Sequence, residues 1–319
     1  MIVTTSFAVD RRGFILGAAA ALSMAAPARA EDGLRLWVAI PSRPTVRLAE
    51  LLLPSLRASL NMPATVVPFG SRPEVPSPIE HVYRLPGTAN DLLLSANPLL
   101  AAYPAYWNKD VDPGRFAPVT KLTRGDSFAL IGPAGALGKG LAGIAAIAPG
   151  RSVRVATLGT RSAHGLFGQV VARRGGFALE LAAVESQEAA LAQIAAGKAD
   201  AAIFATNIFA QMAARHPQLR PLVTSGAKRS PKFPATPTLA ELAAAPKLSF
   251  TLALGIFGPP GMPADTAARI DGALRKAAGT AATQRAAKAL GYTLDPLGPD
   301  GLTIDLNRDR RIVSELGPA

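Results

Sequence analysis

The sequence predicts an α/β protein built on two mainly parallel sheets, each flanked by helices. Three observations carry this reading. Strand-like and helix-like segments alternate in two successive sets, as parallel sheets with crossover helices require. An amino-terminal export leader leaves 289 of the 319 residues, about twice the length of one domain. Apolar residues make up 49% of the chain, enough for two cores.

The leader comes first. Asp10, Arg11 and Arg12 precede a weakly apolar run from Gly13 to Ala26, and Ala28-Arg29-Ala30 forms a small-x-small cleavage pattern. Arg11-Arg12 followed by "GFIL" resembles the twin-arginine export address, so residues 1–30 are expected to be removed and the mature chain to begin at Glu31. The apolar run is about fourteen residues, short of the roughly 20 that span a bilayer. A soluble protein outside the cytoplasm is expected.

Next, "LRLWVAI" (34–40), "ATVVPF" (64–69), "NDLLLSA" (90–96) and "DSFALIG" (126–132) read as buried strands, being short apolar runs bounded by turn residues. Between the first two, "VRLAELLLPSLRASL" has helical spacing, with Pro54 suggesting a kink or a late start. Segment 70–86 carries Pro73, Pro76, Pro78 and Pro86 and reads as a loop. The connector 132–150 is glycine-rich. Its Gly138-Lys139 lacks the phosphate-loop spacing, since no Ser or Thr follows and Pro133 stands where the first glycine belongs.

The second set runs through "SVRVATL", "SAHGLFGQVVARRG", "ALELAAV", "SQEAALAQIAAGKAD" and "AAIFAT", with Gly175 and Gly197 where helices should stop. After "LRPLVTS" and "FTLALGIF" the chain closes with two helical segments, 263–279 and 280–291, opened by Pro263 and Asp265 and ended by Gly279 and Gly291.

Composition narrows the function. The chain has no cysteine, which excludes a disulfide framework, thiolate metal sites and a cysteine nucleophile. Its three histidines, His81, His164 and His216, are too scattered to suggest a metal site. The net charge is +12, and losing Arg11, Arg12, Arg29 and Asp10 with the leader makes it +10, which favours anionic partners. Nucleic acid is a poor fit, because aromatics are 6% and no aromatic-interleaved basic cluster exists.

The stretch "RVATLGTRSAHGLFGQVVARRG" (154–175) gathers Thr157, Thr160, Arg161, Ser162 and His164 between a strand and a helix. A serine hydrolase is disfavoured. The nucleophile elbow needs glycines two residues either side of the serine, and Thr160 and His164 stand there. Two readings stay open: Thr160 or Ser162 caps the helix while Arg161 faces water, or the free amides, hydroxyls and guanidinium hold an anion.

"DPGRFAPVTKL" (112–122), "LVTSGAKRSPKFPATPTLAE" (222–241), "FGPPGMPADTAARIDGALRKA" (257–277) and "LGYTLDPLGPDGL" (290–302) resemble, in order and spacing, landmarks of the substrate-binding receptors of tripartite tricarboxylate transporters, the Bug receptors. The resemblance spans 34–319 and implies a two-lobed periplasmic binding protein of the type II Venus flytrap kind. Lobe 1 would comprise 31–127 plus 254–319 and lobe 2 residues 128–253, hinged near Phe128 and Leu254. It implies a monomer without cofactor or enzymatic activity, which delivers a small organic anion to the transporter's membrane components.

The resemblance also implies where the anion binds: the first turn with Ser42, Arg43 and Thr45, the third-strand loop with Ser95 and Asn97, the helix start with Thr160, Arg161, Ser162 and His164, and Thr206 with Asn207. Arg43, Arg161, Ser162 and Ser95 are the principal candidates. The sequence departs from the family pattern in three places. "PSRPTVR" lacks the family's paired glycines and aspartate, "RPEVPSPIEH" replaces a glycine-rich turn, and "IFATNIF" lacks a common aspartate. A more anionic or differently shaped solute is therefore expected. A sensor of the same fold is the alternative from another class, and a hydrolase using Ser162 the third.

Overall fold

The computed structural model describes residues 33–40, 42–72, 74–75 and 77–316. The expected leader and Pro41 lie outside the described residues.

The chain opens with β1 (Leu34–Val38), α1 (Arg43–Leu60), β2 (Ala64–Val67), α2 (Pro78–Arg84), β3 (Asp91–Ala96), α3 (Asn97–Trp107) and β4 (Ala117–Lys121). It crosses into β5 (Asp126–Pro133), α4 (Gly140–Ala145), β6 (Val153–Thr157), α5 (Ala163–Gly175), β7 (Leu179–Ala183), α6 (Gln187–Ala195), β8 (Ala201–Ala205), α7 (Thr206–Met212), β9 (Leu219–Thr224), α8 (Leu239–Leu242) and β10 (Thr251–Leu252). It then returns through β11 (Leu254–Gly258), α9 (Ala264–Ala278), α10 (Ala281–Ala289) and α11 (Gly298–Leu316).

Two sheets result, in the order β2-β1-β3-β11-β4 and β10-β5-β8-β6-β7, with β9 beside β5. Strands joined by a helix pair parallel, namely β1 with β2 and β3, and β6 with β7 and β8. Strands entering from the crossings pair antiparallel: β11 with β3 and β4, and β5 with β8, β9 and β10. The two lobes are thus mixed sheets with a parallel centre.

Strand alternation sends successive side chains to opposite helical layers. Leu36, Val38, Leu92, Leu94 and Ile256 meet Leu48, Leu52 and Leu56 of α1 and Leu274 of α9. Their neighbours Trp37, Leu93 and Phe257 turn to α2, α3 and α11 through Val82, Leu100, Leu302 and Leu306. Truncating one such leucine to alanine costs about 2–5 kcal/mol. In the second lobe Phe128, Val155 and Ile203 pack on Leu166, Phe167 and Val170 of α5, while Ala129, Ala156 and Phe204 face Leu191, Phe209 and Met212. Ala102 and Tyr106 of α3 and Ile312 of α11 also join the α5 core, so two helices packed on the first sheet help close the second.

The crossings are tied together. Leu252 pairs with Asp126 and Thr251 with Ser127, and the Leu254 N–H donates to Thr123 Oγ1 at 2.9 Å. Gly125 sits between them at φ +78°, where a Cβ would lie 2.6 Å from Thr251 Oγ1, so both conformation and space demand glycine.

Several local expectations change. Segment 70–86 contains α2, because Ser77 caps it by accepting from the Glu80 N–H at 3.3 Å and Pro78 suits a first helical position. The connector 132–150 includes α4. Pro54 does not delay α1, which starts at Arg43 with Pro44 in its first turn and carries Pro54 inside it at an exposed position. The left-handed stop of α5 is Gly176, one residue beyond the expected Gly175. A third closing helix, α11, begins at Gly298.

That helix carries a buried polar cluster. Arg308 donates to Asp305 Oδ1 at 2.8 Å and twice to Asp309 Oδ1 at 3.0 Å, and Lys121 Nζ lies 2.6 Å from Asp305 Oδ2. Asp309 Oδ2 is buried without a hydrogen bond, and burial pushes the Asp309 carboxyl up to about 7. A raised folded-state pKa means that folding favours the protonated form, so this contribution is present at acid pH and lost as pH rises through about 7. Asp309→Asn is expected to raise the melting temperature over wild type most above about pH 8, with the gain shrinking steadily as pH falls toward 4. Equal effects at both pH values would refute the assignment.

Candidate functional site

At the carboxyl ends of adjacent parallel strands, β6 and β8 each feed a helix, so α5 and α7 begin side by side on one edge of the second sheet. Their starts are finished differently.

At α5, Ser162 is the N-cap in extended conformation. Its Oγ accepts from the Gly165 N–H at 3.2 Å and donates to Gly159 O at 2.6 Å. Both roles of the hydroxyl are spent on the turn, leaving it poorly suited to act as a nucleophile. The loop folds back tightly onto the helix, since a Cβ on Gly165 would strike the Thr160 carbonyl. Meanwhile the backbone N–H groups of residues 159–164 donate to no acceptor among the described residues. Arg161 is exposed beside them and Thr160 half-buried. This is a concentrated row of donors with a cation next to it.

His164 is the second residue of α5. Its ring meets the Phe128 ring edge-on at 5.0 Å between centroids, and burial lowers its pKa to about 4. It is therefore a neutral imidazole at physiological pH, able to shape the site without charging it. Phe128 stands opposite Ala205 in the β5–β8 register, which sets His164 next to the start of α7.

At α7 the chain supplies its own anion. Asp126 Oδ2 accepts from the Asn207 N–H at 2.8 Å, and Oδ1 from the Ser127 N–H at 3.0 Å. Burial raises the Asp126 pKa, opposed by those two amide bonds and by Lys232. Thr206 is buried, its Oγ1 bonded to Ser127 O at 2.7 Å. Asn207 Nδ2 reaches across to Gly291 O of the first lobe at 3.1 Å.

On the first-lobe side, Tyr292 follows Gly291 and its hydroxyl lies 2.8 Å from Thr45 Oγ1 at the start of α1. Burial raises the Tyr292 pKa, opposed by hydrogen bonds with Thr45 and Ser42. Ser42, the extended N-cap of α1, makes no capping bond with its own side chain. Arg43 is exposed. Ser42, Thr45 and Asn207 thus converge on Gly291 and Tyr292, Thr206 is held on Ser127, and α5 begins beside α7.

Ser95 and Asn97 do not join this group. Ser95 is buried in β3 opposite Gly255, its Oγ 3.3 Å from Ala96 O. Asn97 is fully buried with neither side-chain Nδ2 nor Oδ1 hydrogen-bonded, and a Cβ on Gly255 would approach its Oδ1 to 2.9 Å. Its side chain lies against Gly255 within the first lobe.

Sequence reasoning missed Asp126, Ser127 and Tyr292. Asp126 reads as the polar edge of a strand, and only the fold brings it to residue 207. The tyrosine belongs to "LGYTLDP", a stretch identifiable as a landmark without its contact being visible.

The chain belongs to the tripartite tricarboxylate transporter receptor family: the family model described as "Tripartite tricarboxylate transporter family receptor" matches residues 94–304. A search of curated proteins finds no match. Among solved structures the chain is similar to a TctC solute-binding protein from Polaromonas without ligand, at TM-score 0.70 and 18% identity, covering 89% of this chain and 97% of that one. It is also similar to MatC from Rhodopseudomonas palustris with bound malate, at 0.67 and 19%, covering 89% and 98%. A third is the R. palustris protein Rpa4515 with adipate, at 0.64 and 15%, covering 89% and 96%.

The neutral state of His164 is directly measurable. Its folded-state pKa lies below the ordinary 6.5, so the stability it contributes is present above about 6.5 and lost as pH falls toward 4. Proton NMR is expected to show the ring unprotonated down to about pH 5. A midpoint near 6.5 would contradict the packing described.

Proposed function

We propose that this member of the receptor family is exported under its twin-arginine leader and works in the periplasm as a monomeric solute receptor. It takes up a small organic anion, a carboxylate, and presents it to the membrane components of a tripartite tricarboxylate-type transporter. The lobes 31–127 plus 254–319 and 128–253 are the closing bodies, and no catalysis is involved.

The observation that carries the reading is the run of N–H groups at 159–164 without acceptors among the described residues, next to Arg161. Amides at a helix start attract negative charge, and a guanidinium adds a bidentate fork. Malate in MatC and adipate in Rpa4515 support a carboxylate as the class of solute. On the opposite side Ser42, Arg43 and Thr45 offer hydroxyl and guanidinium donors in place of the family's glycines. A ligand touching both sides would favour closure in proportion to its differential affinity for the closed state.

The α7 start contributes differently. With Asp126 already on the Asn207 amide, a second carboxylate there would meet like charge. The solute's anionic end is therefore assigned to α5, and polar uncharged or donor groups to the Asn207 and Tyr292 side.

Calorimetry on the mature protein with mono-, di- and tricarboxylates tests this. At least one carboxylate is expected to bind, and Arg161→Gln to weaken it about tenfold or more, as loss of a charge-assisted bond implies. Binding of neutral solutes alone, or full affinity in Arg161→Gln, would overturn the reading.

A further inference from the structure

Along Leu166 to Arg173, α5 borders a cavity of about 410 Å³. This volume falls in the range of small-molecule sites. Each wall is one face of a helix or strand: Ala102 and Ala105 of α3, Leu166 of α5, alternate residues Leu179 and Leu181 of the edge strand β7, and Val313 of α11. Leu179, Leu181 and Val313 remain partly exposed, although they face other apolar groups. The lining is thus greasy surface that the fold leaves uncovered.

Its polar groups sit together. Gln169 and Arg173 are one turn apart on α5, and both line the cavity. The Tyr106 hydroxyl donates to Gln169 Oε1 at 3.1 Å, and Arg173 Nη1 donates to Leu316 O at 3.1 Å. Arg174 beside it pairs with Glu315, whereas Arg173 meets no carboxylate among the described residues. One cationic fork with spare donors at the edge of an apolar hollow is complementary to an amphiphile with a single negative end.

We infer that this cavity is a binding site for a saturated monocarboxylate of medium chain length, its carboxylate on Arg173 and its tail against Ala102, Ala105, Leu166 and Leu181. The site uses none of the residues assigned to the anion at the α5 start. Both lobes form its walls, since α3 and α11 pack on the first sheet while α5 and β7 belong to the second.

The test uses the full mature chain with octanoate as probe, read by calorimetry and thermal shift. Octanoate is expected to bind and raise the melting temperature, with octanol and butyrate each at least about tenfold weaker. Arg173→Gln should weaken octanoate about tenfold. Ala105→Trp, at an exposed position that faces the hollow, should abolish its binding while circular dichroism and the unliganded melting temperature stay at wild-type values. Arg161→Gln should leave octanoate affinity unchanged, which separates this site from the α5 first turn. The inference fails if octanoate does not bind wild type, binds Ala105→Trp equally well, or is lost in Arg161→Gln.

Discussion

The carboxylate of Asp126 decides which of two neighbouring helix starts stays open to an anion. Parallel pairing of β6 and β8 forces α5 and α7 to begin side by side, each with unpaired amides and the positive end of its dipole. Asp126, at the first residue of the crossing strand β5, fills one of them through Asn207. The α5 turn keeps its donors, because Ser162 satisfies Gly165 alone and the preceding amides have no acceptor among the described residues. Charge is thereby distributed across the site by the fold: a fixed negative group at one helix start and an electropositive turn with Arg161 at the other.

The same crossing strand links the site to the rest of the molecule. Phe128, two residues after Asp126, supports the His164 ring and packs with Phe167 and Phe250. Asn207 reaches Gly291, and the adjacent Tyr292 meets Thr45, so a short polar chain runs from the crossing strand to the first-lobe helix start. Helices α3 and α11 add an apolar connection by inserting Ala102, Tyr106 and Ile312 into the α5 core.

Much of this fold could be read from the sequence. Short apolar runs such as "LRLWVAI" and "AAIFA" have the length and content of buried strands, and both are. The α5 start was legible as a set of polar residues after a strand, though its cap was not separable from a ligand contact. In the structure Ser162 does the capping and the bare amides are the feature left over. Helices α3 and α11 were not legible, because α3 begins at Asn97-Pro98 with apolar residues on all sides and α11 is broken by charged residues whose partners are one another or the sequence-distant Lys121, Asp112 and Arg174. Proline misled in the segment after residue 70, where Pro78 starts a helix. Long-range pairings such as Asp126 with Asn207, or Thr45 with Tyr292, leave no periodic trace in a single sequence.

A crystal structure of the mature protein with a bound dicarboxylate tests the division of charge most directly. The account predicts one carboxylate on the amides of residues 159–164 and Arg161, with Asp126 still bonded to the Asn207 amide. A ligand carboxylate on the Asn207 amide with Asp126 displaced, or an α5 turn left empty, would contradict it.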